Sequence, residues 1–102
     1  MHLLVFFDLP VDTSAHRRSY QQFHTFLIKD GYLMMQESVY SKLVINDRST
    51  AAAIARINKH RPTTGLIQIL KVTEKQFASI IDLNHTALEH PEIDDTEGLT
   101  IL

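Results

Sequence analysis

The sequence predicts an α+β domain whose elements run strand, helix, strand, strand, helix, strand. Short runs dense in branched and aromatic residues occur at 2–9, 32–45 and 66–72. Two longer stretches between them, 12–30 and 47–60, contain neither Gly nor Pro, and Pro10, Gly31, Pro62 and Gly65 fall at the joints. These patterns separate extended from helical chain.

Residues 2–9 read HLLVFFDL, a nearly continuous apolar run suited to a strand buried on both faces. Pro10 ends its ladder because it has no N–H to donate. Asp12, Thr13 and Ser14 are N-cap candidates for a helix of about four turns that stops at Gly31. Tyr20, Phe23, Phe26 and Leu27 form its apolar stripe, and Arg18, Gln22, Thr25 and Lys29 its polar one. Residues 32–45 favour extended chain but are too many for one strand, so a reversal or bulge is expected near 36–38. Asp47 or Ser49 caps a second helix reaching His60, with Ile54 and Ile57 turned inward. Residues 66–72, LIQILKV, supply the fourth strand. Thr73 caps a short helix to about residue 80, and a brief strand follows at 81–83.

This order is the ferredoxin-like βαββαβ arrangement, in which two helices cover one face of a four-stranded antiparallel sheet. The other face is left apolar and open, and stacking of two copies sheet to sheet is the simplest cover. The expected organisation is a domain over residues 1–80 and a C-terminal extension over 81–102. In that extension Leu99 and Leu102 bound an apolar end that would add a strand to a partner's sheet edge.

With 102 residues and 44% hydrophobic content, the chain suits one core. It has no cysteine, so neither disulfides nor thiolate zinc sites hold it together. The absence of a basic leader and of an apolar run of about 20 residues predicts a cytoplasmic protein without a membrane anchor. The formal charge of −2 hides an asymmetry of +4 over residues 1–71 against −6 over 72–102. A basic body can meet phosphate while an acidic tail limits nonspecific contact, faces a basic partner, or is simply solvated.

Asp8 is the one carboxylate in the first strand, at the end of an apolar run. It reads either as a cap of the turn at Pro10 or as a ligand for magnesium, a hard cation that takes oxygen donors. A two-fold axis near the strand end would pair two copies of Asp8 around one cation able to offset phosphodiester charge. Arg17, Arg18 and Lys29 are candidate phosphate contacts, the last two about 16 Å apart along a helix. Arg56, Lys59, His60 and Arg61 form a second basic cluster, which the helix dipole also explains. His2, His16, His24, His60, His85 and His90 fall in no compact ligand pattern and read as surface residues. Ser38 and Tyr40 offer hydroxyls without the partners of a nucleophile triad.

The segments LVFFDLPVDT, RRSYQQFHTFLIKDGYLMMQESVYSKL and LKVTEKQF, in this order, resemble the CRISPR-associated Cas-two (Cas2) proteins of the adaptation machinery. The likeness spans residues 3–80 and is nearest to the branch accompanying Cas-nine, type II systems. The resemblance implies a homodimeric scaffold that binds duplex DNA between integrase subunits during spacer acquisition. It also implies a metal-dependent endonuclease acting on RNA or duplex DNA, with Asp8 at the magnesium position. Arg17 and Arg18 match the basic start of the first helix, and Gln36, Ser38, Val39 and Tyr40 match a QxSVY signature that serves fold and dimer. Without the resemblance, a ribonuclease toxin or a small-ligand regulatory module fits the same element order.

Overall fold

The computed structural model describes residues 1–84. Its elements are β1 (His2–Asp8), α1 (Ser14–Lys29), β2 (Leu33–Gln36), β3 (Val39–Leu43), α2 (Asp47–His60), β4 (Leu66–Val72) and α3 (Glu74–Ala78). The sheet order is β2-β3-β1-β4 with every pairing antiparallel. This is the ferredoxin-like order expected from the sequence. Among the described residues no helix is long and apolar enough to cross a membrane.

Local chemistry explains most boundaries. Thr13 caps α1 through its hydroxyl, which accepts from the His16 N–H at 3.0 Å. Past the other end, Gly31 takes φ 99°, the left-handed conformation that ends helices. The long extended segment divides at Glu37 and Ser38, with a bulge between Met34 and Gln36 that no Gly or Pro marks.

The core lies between the sheet and the two long helices. Leu3, Val5 and Phe7 alternate on one face of β1 and are buried there. Phe7 packs its ring against Phe23 and Tyr40 at centroid separations of 5.2 and 5.5 Å. Leu27 and Ile57 bring α1 and α2 onto the same cluster, and Phe26 stacks on His60 at 4.2 Å where the helices end.

Four expectations need correction. The α2 cap is Asn46, in a reciprocal capping box with Ser49, because an Asn one residue earlier accepts the Ser49 N–H at 2.8 Å. Ile54 is 39% exposed, since the contact stripe of α2 is Thr50, Ala53 and Ile57. Small residues at two of those positions let the helix lie close, which leaves Ile54 on the flank. Residues 81 and 82 have no regular structure and 83 and 84 are helical, so the expected strand at 81–83 is absent. Finally, His2, His16 and His24 are half-buried rather than surface residues. The expected strand at the C-terminal end and the acidic stretch 89–97 lie outside the described residues.

Residue parity across the sheet defines the open face. Leu4 lies opposite Ser41 and Leu70, Phe6 opposite Val39 and Gln68, and Asp8 opposite Leu66. Leu33, Leu43, Leu66 and Leu70 on this face are 73, 58, 55 and 51% exposed. One end of it is partly covered, because α3 places Phe77 flat on His2 with ring centroids 3.8 Å apart.

Candidate functional site

Asp8 is the last residue of β1 and is exposed. Two features hold its backbone. It pairs with Leu66 of β4, and its carbonyl lies against Gly65, which has φ +96°. A Cβ at residue 65 would sit 2.8 Å from that carbonyl oxygen and 2.6 Å from Leu9 Cδ2, so glycine is required for the close approach. Leu9, next in the chain, is buried in the core and anchors the strand end from the other side.

The Asp8 side chain opens onto a cavity of about 200 Å³ at that end of the open face. Phe6 and Phe7 of β1, Ser38 and Val39 of the β2–β3 reversal, and Leu66 and Gln68 of β4 form its other walls. Ser38 is fixed beside β1 because its backbone carbonyl accepts the Phe7 N–H at 3.1 Å. The Asp8 carboxylate makes no hydrogen bond or ion pair with the described residues, and the helix beyond the turn is capped by Thr13. The turn-cap role therefore finds no contact to support it.

The donor chemistry suits a hard divalent cation. Asp8, Ser38 and Gln68 offer oxygen, and the walls hold no His, Cys, Lys or Arg. One carboxylate with waters and substrate oxygens is a familiar magnesium arrangement. Among the described residues no three His, Cys, Asp or Glu side chains converge as a metal cluster, and Asp8 is the one carboxylate on the cavity walls.

The candidate basic residues fall into two groups. Arg18 and Lys29 are exposed along α1, and Lys59 near the end of α2. Arg17 donates to the Val11 carbonyl at 3.1 Å and braces the β1–α1 connection. Arg56 grips the Asp30 carboxylate at 2.9 and 3.2 Å, and Lys42 approaches the same carboxylate at 3.7 Å. Arg61 donates to Asn58 at 2.8 Å. The basic residues thus surround the molecule's helical side and do not converge on Asp8.

The histidines serve the frame. His24 bonds through Nδ1 to the hydroxyl of the buried Tyr40, and His16 in the first turn of α1 meets Asp12, which precedes the helix, at 2.6 Å. That bond, above all, holds the Asp12 carboxyl below its ordinary value. Sequence reasoning missed Gln68 and the role of Gly65, since both depend on the β1–β4 register rather than on local pattern.

Comparison with known proteins adds to this geometry. The family model described as CRISPR associated protein Cas2 matches residues 1–80. A relative from Streptococcus mutans serotype c is 46% identical over 84 residues, 82% of this chain and 77% of its own length. One from Treponema denticola is 43% identical over 96 residues, covering 93 and 95% of the two chains. Both carry the name CRISPR-associated endoribonuclease Cas2. The crystal structure of Streptococcus pyogenes Cas2 at pH 6.5 superposes with a TM-score of 0.64 at 17% identity, covering 80% of this chain and 98% of that one. At that identity it speaks for the fold alone.

Proposed function

Because the chain belongs to the CRISPR-associated Cas2 family, we propose that it is a divalent-cation-dependent endonuclease of that system, with RNA as the substrate and Asp8 as the metal ligand. The observation that carries this reading is the unpaired Asp8 carboxylate opening onto an oxygen-lined cavity at the strand end. The relatives' shared name supplies the class of reaction, hydrolysis of an internal phosphodiester bond.

The chain's own part in the chemistry is positional. Gly65 and Leu9 fix the strand end that carries Asp8 to the cavity. The apolar walls, Phe6, Val39 and Leu66, leave Asp8, Ser38 and Gln68 as the polar side chains facing the cavity. Asp8 would hold a magnesium ion, which would supply charge stabilisation to the phosphoryl group. A second copy stacked on the open face would add a second Asp8, and the exposed leucines there support such a dimer.

A second, compatible reading is a duplex-DNA scaffold beside the integrase subunit during spacer acquisition. Arg18 and Lys29 support it, since they are exposed along one helix, and a span of about 16 Å covers several phosphates.

One substitution tests both. Asp8→Asn, assayed on single-stranded RNA with magnesium, is expected to lower cleavage by more than about a hundredfold, the scale of losing a metal's charge stabilisation. The same variant is expected to leave integration of DNA by the assembled complex largely intact. Unchanged RNA cleavage would remove Asp8 from the chemistry, whereas lost integration with normal assembly would overturn the division of roles.

A further inference from the structure

A single carboxylate leaves most of a magnesium ion's shell to water, and those waters need acceptors fixed in the surrounding walls. Two polar side chains stand in the Asp8 cavity besides Asp8 itself, Ser38 and Gln68, and the remaining walls are Phe6, Phe7, Val39 and Leu66.

Gln68 is out of keeping with its surroundings. On its face of β4 it stands between Leu66 and Leu70, both more than half exposed, and opposite Phe6. Its amide has no hydrogen-bond partner among the described residues. Under a covering partner, an amide in that position would cost free energy unless something polar met it. Register also places it well. Asp8 pairs with Leu66 and Phe6 with Gln68, so Asp8 and Gln68 are diagonal neighbours on one face, about 7–8 Å apart at Cα and within reach of a long side chain. Ser38 approaches from the β2–β3 reversal, its backbone carbonyl accepting from the N–H of Phe7, the residue preceding Asp8.

We propose that Gln68 and Ser38 are positioning residues that hold the hydration shell of a divalent cation at Asp8, with Gln68 the stronger contributor. This rests on Asp8 being the metal ligand. The amide oxygen accepts from a coordinated water and its NH₂ donates to a substrate oxygen, so one side chain orients both sides of the site. The hydroxyl of Ser38 does the same over a shorter reach.

Manganese(II), which shares magnesium's preference for oxygen donors, is the probe. Its free-ion paramagnetic resonance signal is followed as each full-length variant is titrated. Asp8→Asn is expected to abolish binding. Gln68→Leu is expected to weaken it by about tenfold or more, the usual loss when a partner of a coordinated group is removed. Gln68→Glu, which adds a second carboxylate at the same reach, is expected to tighten it, and Gln22→Leu on the polar stripe of α1 to leave it unchanged.

Asp8→Asn with unaltered binding would sink the Asp8 site itself. Loss in Asp8→Asn together with an affinity within about twofold of the parent in Gln68→Leu would overturn the role of Gln68 alone. Should Gln68→Leu fail to fold by circular dichroism, Gln68→Glu decides, and unchanged affinity there overturns the proposal.

Discussion

Tyr32 is 2% exposed, and its hydroxyl has no hydrogen-bond partner among the described residues. Burial, and after it the charge of Asp30, pushes the phenol up to about 12, with Arg56 acting in the opposite sense. The folded chain therefore keeps this proton after the unfolded chain has lost it near pH 10, and stability falls as pH rises through that window. Tyr32→Phe removes both the orphan hydroxyl and the titration. It is expected to be about 1 kcal/mol more stable at neutral pH, and its advantage should widen above pH 10. Urea midpoints at the two pH values check this, and a lower midpoint for the variant at neutral pH contradicts it. Single residues were unevenly legible in the sequence. Asp8 stood out as a lone charge in an apolar run, but Gln68 reads in LIQILKV as an ordinary polar alternation. Only its pairing with Phe6 gives it a place beside Asp8. Gly65 likewise reads as punctuation after a helix, while its contact with the Asp8 carbonyl is fixed by chain from the other end of the fold.

Among the elements, α3 has the most conditional hold. Its Glu74 accepts from His2 at 3.0 Å and from the chain's amino group at 3.3 Å, and Phe77 stacks on His2. The His2 bond is the chief reason the Glu74 carboxyl lies below its ordinary value. A depressed carboxyl adds stability that is present above its unfolded value of about 4.5 and is lost as pH falls through the lower folded one. Acid should therefore release α3 before the core. Hydrogen exchange across an acid series is expected to rise first at Phe77 and Ala78, and Phe77→Ala is expected to give that exchange at neutral pH. Simultaneous exchange of α3 and β1 would contradict it. The ends of α1 were readable because caps act within a few residues, as Thr13 and Gly31 show, whereas the α2 cap fell at Asn46, ahead of the expected Asp47 or Ser49. The inward face of α2 was not readable, because Thr50 and Ala53 set its approach to the sheet and outrank the larger Ile54. The division at Glu37 and Ser38 was expected only as a region, since a bulge needs no special residue.

At the scale of the whole molecule, the βαββαβ order was legible because each element has its own period, and the sheet order followed from it. The open, leucine-rich face is where a second copy would stack. Leu70→Glu puts a charge at the middle of that face, opposite Leu4, and is expected to turn a sedimenting dimer into a monomer with the helical signal unchanged. A monomeric parent, or a dimeric variant, would remove sheet stacking from the account. The site depends on the same face, so the variant should also lose RNA cleavage while keeping Asp8 itself. Finally, α3 sits over the His2 end of β1, while Asp8 lies at the other end of the same strand. A second sheet stacking on this one would meet α3 as a doorstop and come to rest offset toward the uncovered end. In a sheet-stacked dimer, a helix with no part in the chemistry would thereby set the stagger of the two copies, and with it whether their Asp8 carboxylates face one another.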